Sequence, residues 1–148
     1  MNQRILVAVD GSNISDLALK EAIKLAQDRR ARLRIVHVVN EVTLNLYVDS
    51  RSLNKFFESC RTSGQRILAK ARAVASGFGV EAETNLLEIQ TIGRRVADMI
   101  VDHAKSIPTD LIVMGTNRRR GLQLTLRGSV ARDVARLSPI PVSLIHEH

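Results

Sequence analysis

The chain has 148 residues, of which 45% are hydrophobic and 25% charged, and it carries a formal net charge of +7. This composition is ordinary for a globular protein, and the length fits one domain over residues 1–148. The single cysteine, Cys60, excludes an intramolecular disulfide, and the first apolar run, residues 5–9, is too short for a signal peptide or a membrane span. We therefore expect a cytoplasmic protein that makes no membrane contact.

Strand-like and helix-like apolar patterns alternate along the chain. Short apolar runs rich in β-branched residues predict five strands, at residues 4–9, 33–39, 80–87, 111–114 and 141–145. Apolar residues that recur every three or four positions predict four helices, from Ser12 or Asn13 to about 28, about 52–75, 92 to about 106, and about 128–137. Residues 40–50 lack a clean period and are predicted to form a loop.

Five strands separated by four helices predict an α/β fold, a doubly wound parallel sheet with helices on both faces. Ligands of such sheets bind beyond the carboxyl ends of the strands, where the winding direction reverses. If strands one and four are neighbours, this crevice lies between Asp10-Gly11 and Gly115. Two polar turns that are remote in sequence would then form one ligand site.

The segment from Asp110 to Arg136 carries the strongest functional signal. It contains a buried-strand pattern, Gly115, three consecutive arginines, and Gly128-Ser129 before the last helix. Unpaired N–H groups and the positive end of the dipole make a helix start favourable for anions. The first hypothesis is therefore a nucleotide or another phosphorylated ligand. The alternative is that the two glycines end a strand and form a tight turn, and that the arginines lie in a solvated loop.

Basic residues are concentrated beside these glycines. From residue 115 to 136, six arginines stand against Asp133 alone, a net charge of +5. Such a patch suits a phosphate-bearing partner. Aromatic residues make up only 3% of the chain, which leaves little to stack on nucleic-acid bases, so we expect no specific nucleic-acid binding.

The chain resembles the universal stress protein family over its whole length. The resemblance rests on Val9-Asp10-Gly11-Ser12 after strand one, His37-Val38 at the end of strand two, and Met114-Gly115 leading to Gly128-Ser129-Val130-Ala131. It implies a Rossmann-like sheet in the order 3-2-1-4-5, like that of the adenine nucleotide alpha hydrolases. It also implies a role in stress response, exerted through contacts with other proteins. The family's homodimer would form through strand five, at Val142, Ser143, Leu144 and Ile145.

The family's ATP-binding branch carries Gly-x-x-Gly, nine residues, and then Gly-Ser/Thr. Gly115, Gly128 and Ser129 match this motif, whereas Arg118 replaces the second glycine. Arginine in left-handed geometry costs about 1–2 kcal/mol, but its guanidinium can bind phosphate bidentately. The family's other branch lacks the motif and does not bind ATP, so the chain lies between the two branches.

The resemblance implies an adenine-nucleotide site for ATP, with or without Mg²⁺. By analogy, the base and ribose would contact the ends of strands one and two, and the phosphates would face the glycine motif. The predicted site residues are Ala8, Asp10, Ser12, Val38, Met114, Gly115, Arg118, Gly128, Ser129 and Val130. Asp10 suits a ribose hydroxyl or a magnesium ion, and its alternative role is to cap the first helix together with Ser12.

No nucleophile–base pair and no paired acids are evident, so no catalytic residue is predicted and slow ATP hydrolysis is the most activity expected. Three rivals remain open. They are a dimeric interaction module that binds no nucleotide, a small phosphatase or nucleotide hydrolase, and RNA or DNA binding through the arginines. His37 and His103 have no partner at ligand spacing and are interpreted as structural.

Overall fold

A computed structural model describes residues 3–40, 50–91, 93–116 and 126–146, without the side chains of 50, 51, 53 and 126–129. The described strands are β1 Arg4–Ala8, β2 Arg32–Asn40, β3 Ala82–Ile89, β4 Leu111–Thr116 and β5 Val142–His146. The described helices are α1 Asn13–Arg29, α2 Ser50–Gly77, α3 Val96–Ser106 and α4 Leu126–Leu137.

The five strands form one parallel sheet in the order β3-β2-β1-β4-β5. At its centre Val7 of β1 lies between Ile35 of β2 and Val113 of β4, and all three side chains are fully buried. The winding direction of the sheet reverses at β1, because β2 and β4 lie on its two sides. The predicted doubly wound sheet and its strand order are confirmed.

Successive side chains of the strands point to opposite faces of the sheet, and each face has its own apolar core. Ile5 and Val7 belong to the core that includes α1 and α2. Leu6 and Ile112 belong to the core that includes α3 and α4. Burial on both faces explains why the central strands read as nearly continuous apolar runs.

Strand three was predicted two residues too early. It covers Ala82–Ile89, and each of its residues pairs with one of β2. Val80 does not join the sheet, because its N–H donates to the carbonyl oxygen of Ala75 at 2.9 Å and so closes the end of α2. Gly79 makes this turn with a φ of +77°.

Helix three was predicted to start at residue 92, and this start is wrong. The helix begins at Val96, after Arg95 in extended geometry. The carboxylate of Asp98 accepts the backbone N–H of Arg95 at 3.0 Å, which fixes the first turn there.

The other boundaries differ by one or two residues. The fourth strand continues through Gly115 to Thr116, and α4 begins at Leu126, two residues before the predicted start. The predicted loop after β2 lies outside the described residues except at its ends, where Asn40 closes β2 and Ser50 opens α2. Across the described ranges, no helix is both long and apolar enough to cross a membrane.

Candidate functional site

A pocket of about 200 Å³ opens at the carboxyl end of the sheet, where the winding direction reverses. Seven of the ten predicted site residues line it, namely Ala8, Asp10, Ser12, Val38, Met114, Gly115 and Val130. The structure therefore brings together the ends of β1, β2 and β4 and the first turns of α1 and α4. Gly128 and Ser129 lie in the first turn of α4, where side chains are not described, and Arg118 lies outside the described residues.

The turn between β1 and α1 is fixed by side-chain hydrogen bonds. The Asp10 carboxylate accepts the N–H of Ser12 at 2.9 Å, and the Ser12 hydroxyl accepts the N–H of Ser15 at 3.2 Å. Ser15 in turn accepts the N–H of Asp10 through its hydroxyl at 3.2 Å. Of the two predicted caps, Ser12 and Asn13, Ser12 is thus the N-cap of α1, and Asp10 takes part in the same turn, as its alternative role predicted. Asp10 also lines the pocket.

Gly115 brings β4 against the first turn of α1. A Cβ at this position would lie 2.8 Å from the carbonyl oxygen of Ile14 and 2.8 Å from its Cγ1. Only glycine therefore fits without a movement of the backbone. Because β4 continues to Thr116, the role of Gly115 is this close approach and not the end of the strand.

His37 at the end of β2 lines the pocket, although its sequence context indicated a purely structural residue. Its Nδ1 lies 2.8 Å from the carbonyl oxygen of Val9 and donates to it, which ties β2 to the residue before Asp10. A Cβ on Gly64 of α2 would lie 2.9 Å from the His37 ring, so α2 packs closely against this histidine. A polar side chain at a strand's carboxyl end was the signal that could have identified it.

Five more lining residues were absent from the predicted set. They are Val9, Ile14, Ser15, Val96 and Ile100. Val96 and Ile100 come from α3, and their helical spacing is the same whether a side chain faces the core or a pocket. His103, by contrast, is not among the lining residues, and burial lowers the pKa of its imidazole.

The pocket combines apolar walls with a few polar groups. Its sides are formed by Ala8, Val38, Val96, Met114 and Val130, and its polar groups by Asp10, Ser12, Ser15 and His37. Apolar walls suit a flat heterocycle, and carboxylate and hydroxyl oxygens suit sugar hydroxyls. Among the described residues, no group of three or more His, Cys, Asp or Glu side chains could hold a metal ion.

Known proteins are similar to this chain in sequence and in fold. The sequence profile of the Universal stress protein family matches residues 1–146. Universal stress protein YxiE of Bacillus subtilis (strain 168) is 34% identical, with 98% of this chain and 99% of that protein aligned.

The solved structures similar to this chain include two complexes with adenine nucleotides. The universal stress protein from Archaeoglobus fulgidus in complex with dAMP is 26% identical, with 97% of each chain covered and a TM-score of 0.67. A universal stress protein in complex with cAMP is 25% identical, with 99% of this chain and 98% of that chain covered and a TM-score of 0.71. On the sequence profile, the identity to YxiE and the shared fold, the chain belongs to the universal stress protein family.

Proposed function

We propose that this protein binds an adenine nucleotide in the pocket at the carboxyl end of the sheet and acts as a binding module, not as an enzyme. The observation that carries the proposal is the convergence of seven predicted site residues on one pocket. The dAMP and cAMP complexes of two family members support the choice of an adenine nucleotide. The module would act in stress response as a cytoplasmic homodimer, through contacts with partner proteins.

The apolar end of the pocket would hold the base. Val38 and Ala8 offer flat contact area, and Asp10 would accept a hydrogen bond from a ribose hydroxyl. A volume of about 200 Å³ is smaller than the roughly 300–1,000 Å³ typical of small-molecule pockets. The pocket therefore suits the base and sugar, and the phosphates would extend towards α4.

The phosphates would meet the first turn of α4, where backbone N–H groups and the helix dipole favour anions. Arg118 stands nearby in sequence and would compensate for the missing glycine by pairing with phosphate. Both family complexes contain a nucleotide with one phosphate. The number of phosphates, and whether ATP enters with Mg²⁺, is therefore the finer question for experiment.

Calorimetry and thermal shift with AMP, cAMP and Mg·ATP test this proposal. We expect a dissociation constant between roughly micromolar and millimolar, or about −8 to −4 kcal/mol. At a hundredfold excess of ligand over that constant, the fold gains about 2.7 kcal/mol, which raises the melting temperature by several degrees. No binding heat and no melting shift with any of the three ligands would contradict the proposal. The result would favour the rival function, an interaction module that binds no nucleotide, which the replacement of the motif glycine by Arg118 also favours.

Three variants and one control locate the site. Ala8→Leu adds side-chain volume inside the pocket and should abolish the shift, while Ala135→Leu on the exposed side of α4 should leave it unchanged. Gly128→Asp places a negative charge beside the proposed phosphate position and should also abolish it. Arg118→Gly separates two roles, because tighter binding means that Arg118 obstructs the phosphates and weaker binding means that it holds them.

A further inference from the structure

A second and larger cavity lies at the opposite, amino end of the sheet. This amino-end groove has a volume of about 1160 Å³ and runs between the starts of β1, β2 and β3 and the carboxyl ends of α1, α2 and α3. Five of its lining residues are arginines, Arg4, Arg30, Arg32, Arg34 and Arg72. The length of the five-residue β1, roughly 17 Å, separates the groove from the proposed nucleotide pocket.

The charge of the groove is positive. Five arginines stand against two lining glutamates, Glu81 and Glu83, a net charge of +3. Arg34 is paired with Glu83, whereas none of the other four makes an ion pair with a described residue. Three helix carboxyl ends, each roughly half a negative charge, offset part of this excess without cancelling it.

Neighbouring polar groups offset only part of the positive charge of the groove. The carboxylate of Asp110 lies beside Arg4 and accepts its backbone N–H at 2.8 Å, so it contributes one negative charge there, but it makes no ion pair with a described guanidinium. Gln3 accepts the backbone N–H of Arg32 through its carbonyl oxygen and the guanidinium of Arg29 through its side chain. Within the described ranges, the guanidinium groups of Arg4, Arg30, Arg32 and Arg72 have no ion-pair partner and can therefore bind a ligand.

Arg30 occupies a backbone conformation that favours glycine. Its φ is +51°, and among the described residues it is the one non-glycine residue with positive φ. It caps the carboxyl end of α1, and its N–H faces the carbonyl oxygens of Ala26 and Gln27. Glycine would hold this cap without steric cost, so the arginine places a guanidinium in the groove at the expense of backbone strain. Strain of this kind in a cleft points to a function of the side chain.

We propose that the amino-end groove binds a linear chain of phosphate groups, as found in condensed inorganic phosphate and in the backbone of nucleic acids. Guanidinium groups bind phosphate oxygens in pairs, and several of them along one groove match a ligand with repeated charges. Among the described residues, the lining contains no aromatic side chain on which a base could stack. Recognition therefore rests on the phosphates.

Fluorescence anisotropy of the full chain tests this site, with labelled inorganic polyphosphate and a single-stranded RNA of the same number of phosphates. Four phosphate contacts give a salt slope of about −2.8, so affinity should fall roughly 50-fold between 50 and 200 mM salt. Similar affinity for polyphosphate and for RNA would show that the groove binds any phosphate backbone. A tenfold preference for polyphosphate would show that it binds condensed phosphate. Binding of RNA alone overturns the proposal, as does the absence of binding at 50 mM salt.

A charge-matched pair of variants places the ligand. Arg30→Gly combined with Arg32→Gln should lower affinity about tenfold and flatten the salt slope. Lys20→Gln combined with Lys24→Gln removes the same charge from the exposed side of α1, away from the groove, and should have little effect. Equal losses in the two pairs would show a diffuse charge effect and overturn the site.

Two further measurements test whether a loss of affinity reflects a loss of folding, and whether the ligand binds in the groove or in the proposed nucleotide pocket. Arg30→Gly alone relieves the positive φ, so it should lower affinity while the melting temperature stays the same or rises. Unchanged affinity in this variant overturns the role of Arg30. Ala8→Leu should bind polyphosphate like the wild type, because its pocket lies at the other end of the sheet; lost polyphosphate binding there would instead place the ligand in that pocket.

Discussion

Single residues near the pocket have close neighbours that decide what can replace them. Gly115 faces the Ile14 carbonyl oxygen, and Gly11 makes its turn with a φ of +82°. The sequence identified Gly115 as important for other reasons, as a glycine of the phosphate motif or, in the alternative, as the end of a strand. Contact between β4 and α1 is a property of packing, and no local pattern reveals how near one backbone comes to another.

Gly115→Ala should destabilise the fold by about 1–3 kcal/mol, because its Cβ would overlap the backbone of Ile14 and push α1 away from β4. Urea unfolding followed by circular dichroism measures this loss. Gly77→Ala is the matched control, since a Cβ at Gly77 meets no atom within 4 Å and alanine favours the helix. Equal stability of the two variants would contradict the close contact.

At the scale of elements, apolar periodicity predicted the type and order of all nine described elements, because each strand and helix buries a regular face. The ends of the helices and strands were harder to predict from the sequence. Val80 has the composition of a strand residue, yet its N–H completes the end of α2. The start of α3 depends on one carboxylate, Asp98, whose contact with the Arg95 backbone is not visible in the hydrophobic pattern.

The start of α3 is therefore sensitive to Asp98. The backbone N–H of Arg95, followed by its guanidinium, lowers the pKa of Asp98. A carboxylate whose pKa is lower in the folded state stabilises the fold above its unfolded pKa, about 3.9, and loses this effect as the pH falls through the folded pKa. Asp98→Ala should cost about 1 kcal/mol at pH 7, and the difference from wild type should shrink below about pH 4.

Thermal unfolding from pH 3 to 7 measures this dependence. Asp102→Ala is the control, because Asp102 is an exposed partner of Arg94 later in the same helix, and exposed ion pairs contribute little. A constant difference between Asp98→Ala and wild type across this pH range would rule out the carboxylate's charge as the cause.

At the scale of the whole molecule, the two ends of the sheet were unequally predictable. The carboxyl end could be found because its polar residues follow strands directly, and parallel strands end at one edge. The amino-end groove could not be found, since its arginines are spread between positions 4 and 72 and each resembles an ordinary surface residue. Only the folded sheet places them together.

The edges of the sheet raise the question of assembly. β5 lies at one edge and pairs with β4, and its other side has no strand partner among the described residues. An apolar edge strand invites pairing with a second copy, and a two-fold copy gives a closed contact. We therefore expect a homodimer through Val142, Ser143, Leu144 and Ile145, with sedimentation as a dimer at tens of micromolar. A wild-type protein that sediments as a monomer at that concentration would end the hypothesis.

The hydrogen-bond pattern of β5 selects the variant that tests the dimer. Ile112 donates its N–H to the carbonyl oxygen of Pro141 at 2.9 Å and is in register with Val142. In a parallel ladder Ser143 then donates back towards β4, and the N–H of Val142 points to the open edge. Val142→Pro should weaken the dimer and keep the helical content, because proline is tolerated at the first residue of a strand. Ser143→Pro removes a bond inside the protomer and should lower the melting temperature itself. A Val142→Pro protein that dimerises like the wild type would show that the two copies do not pair through this edge.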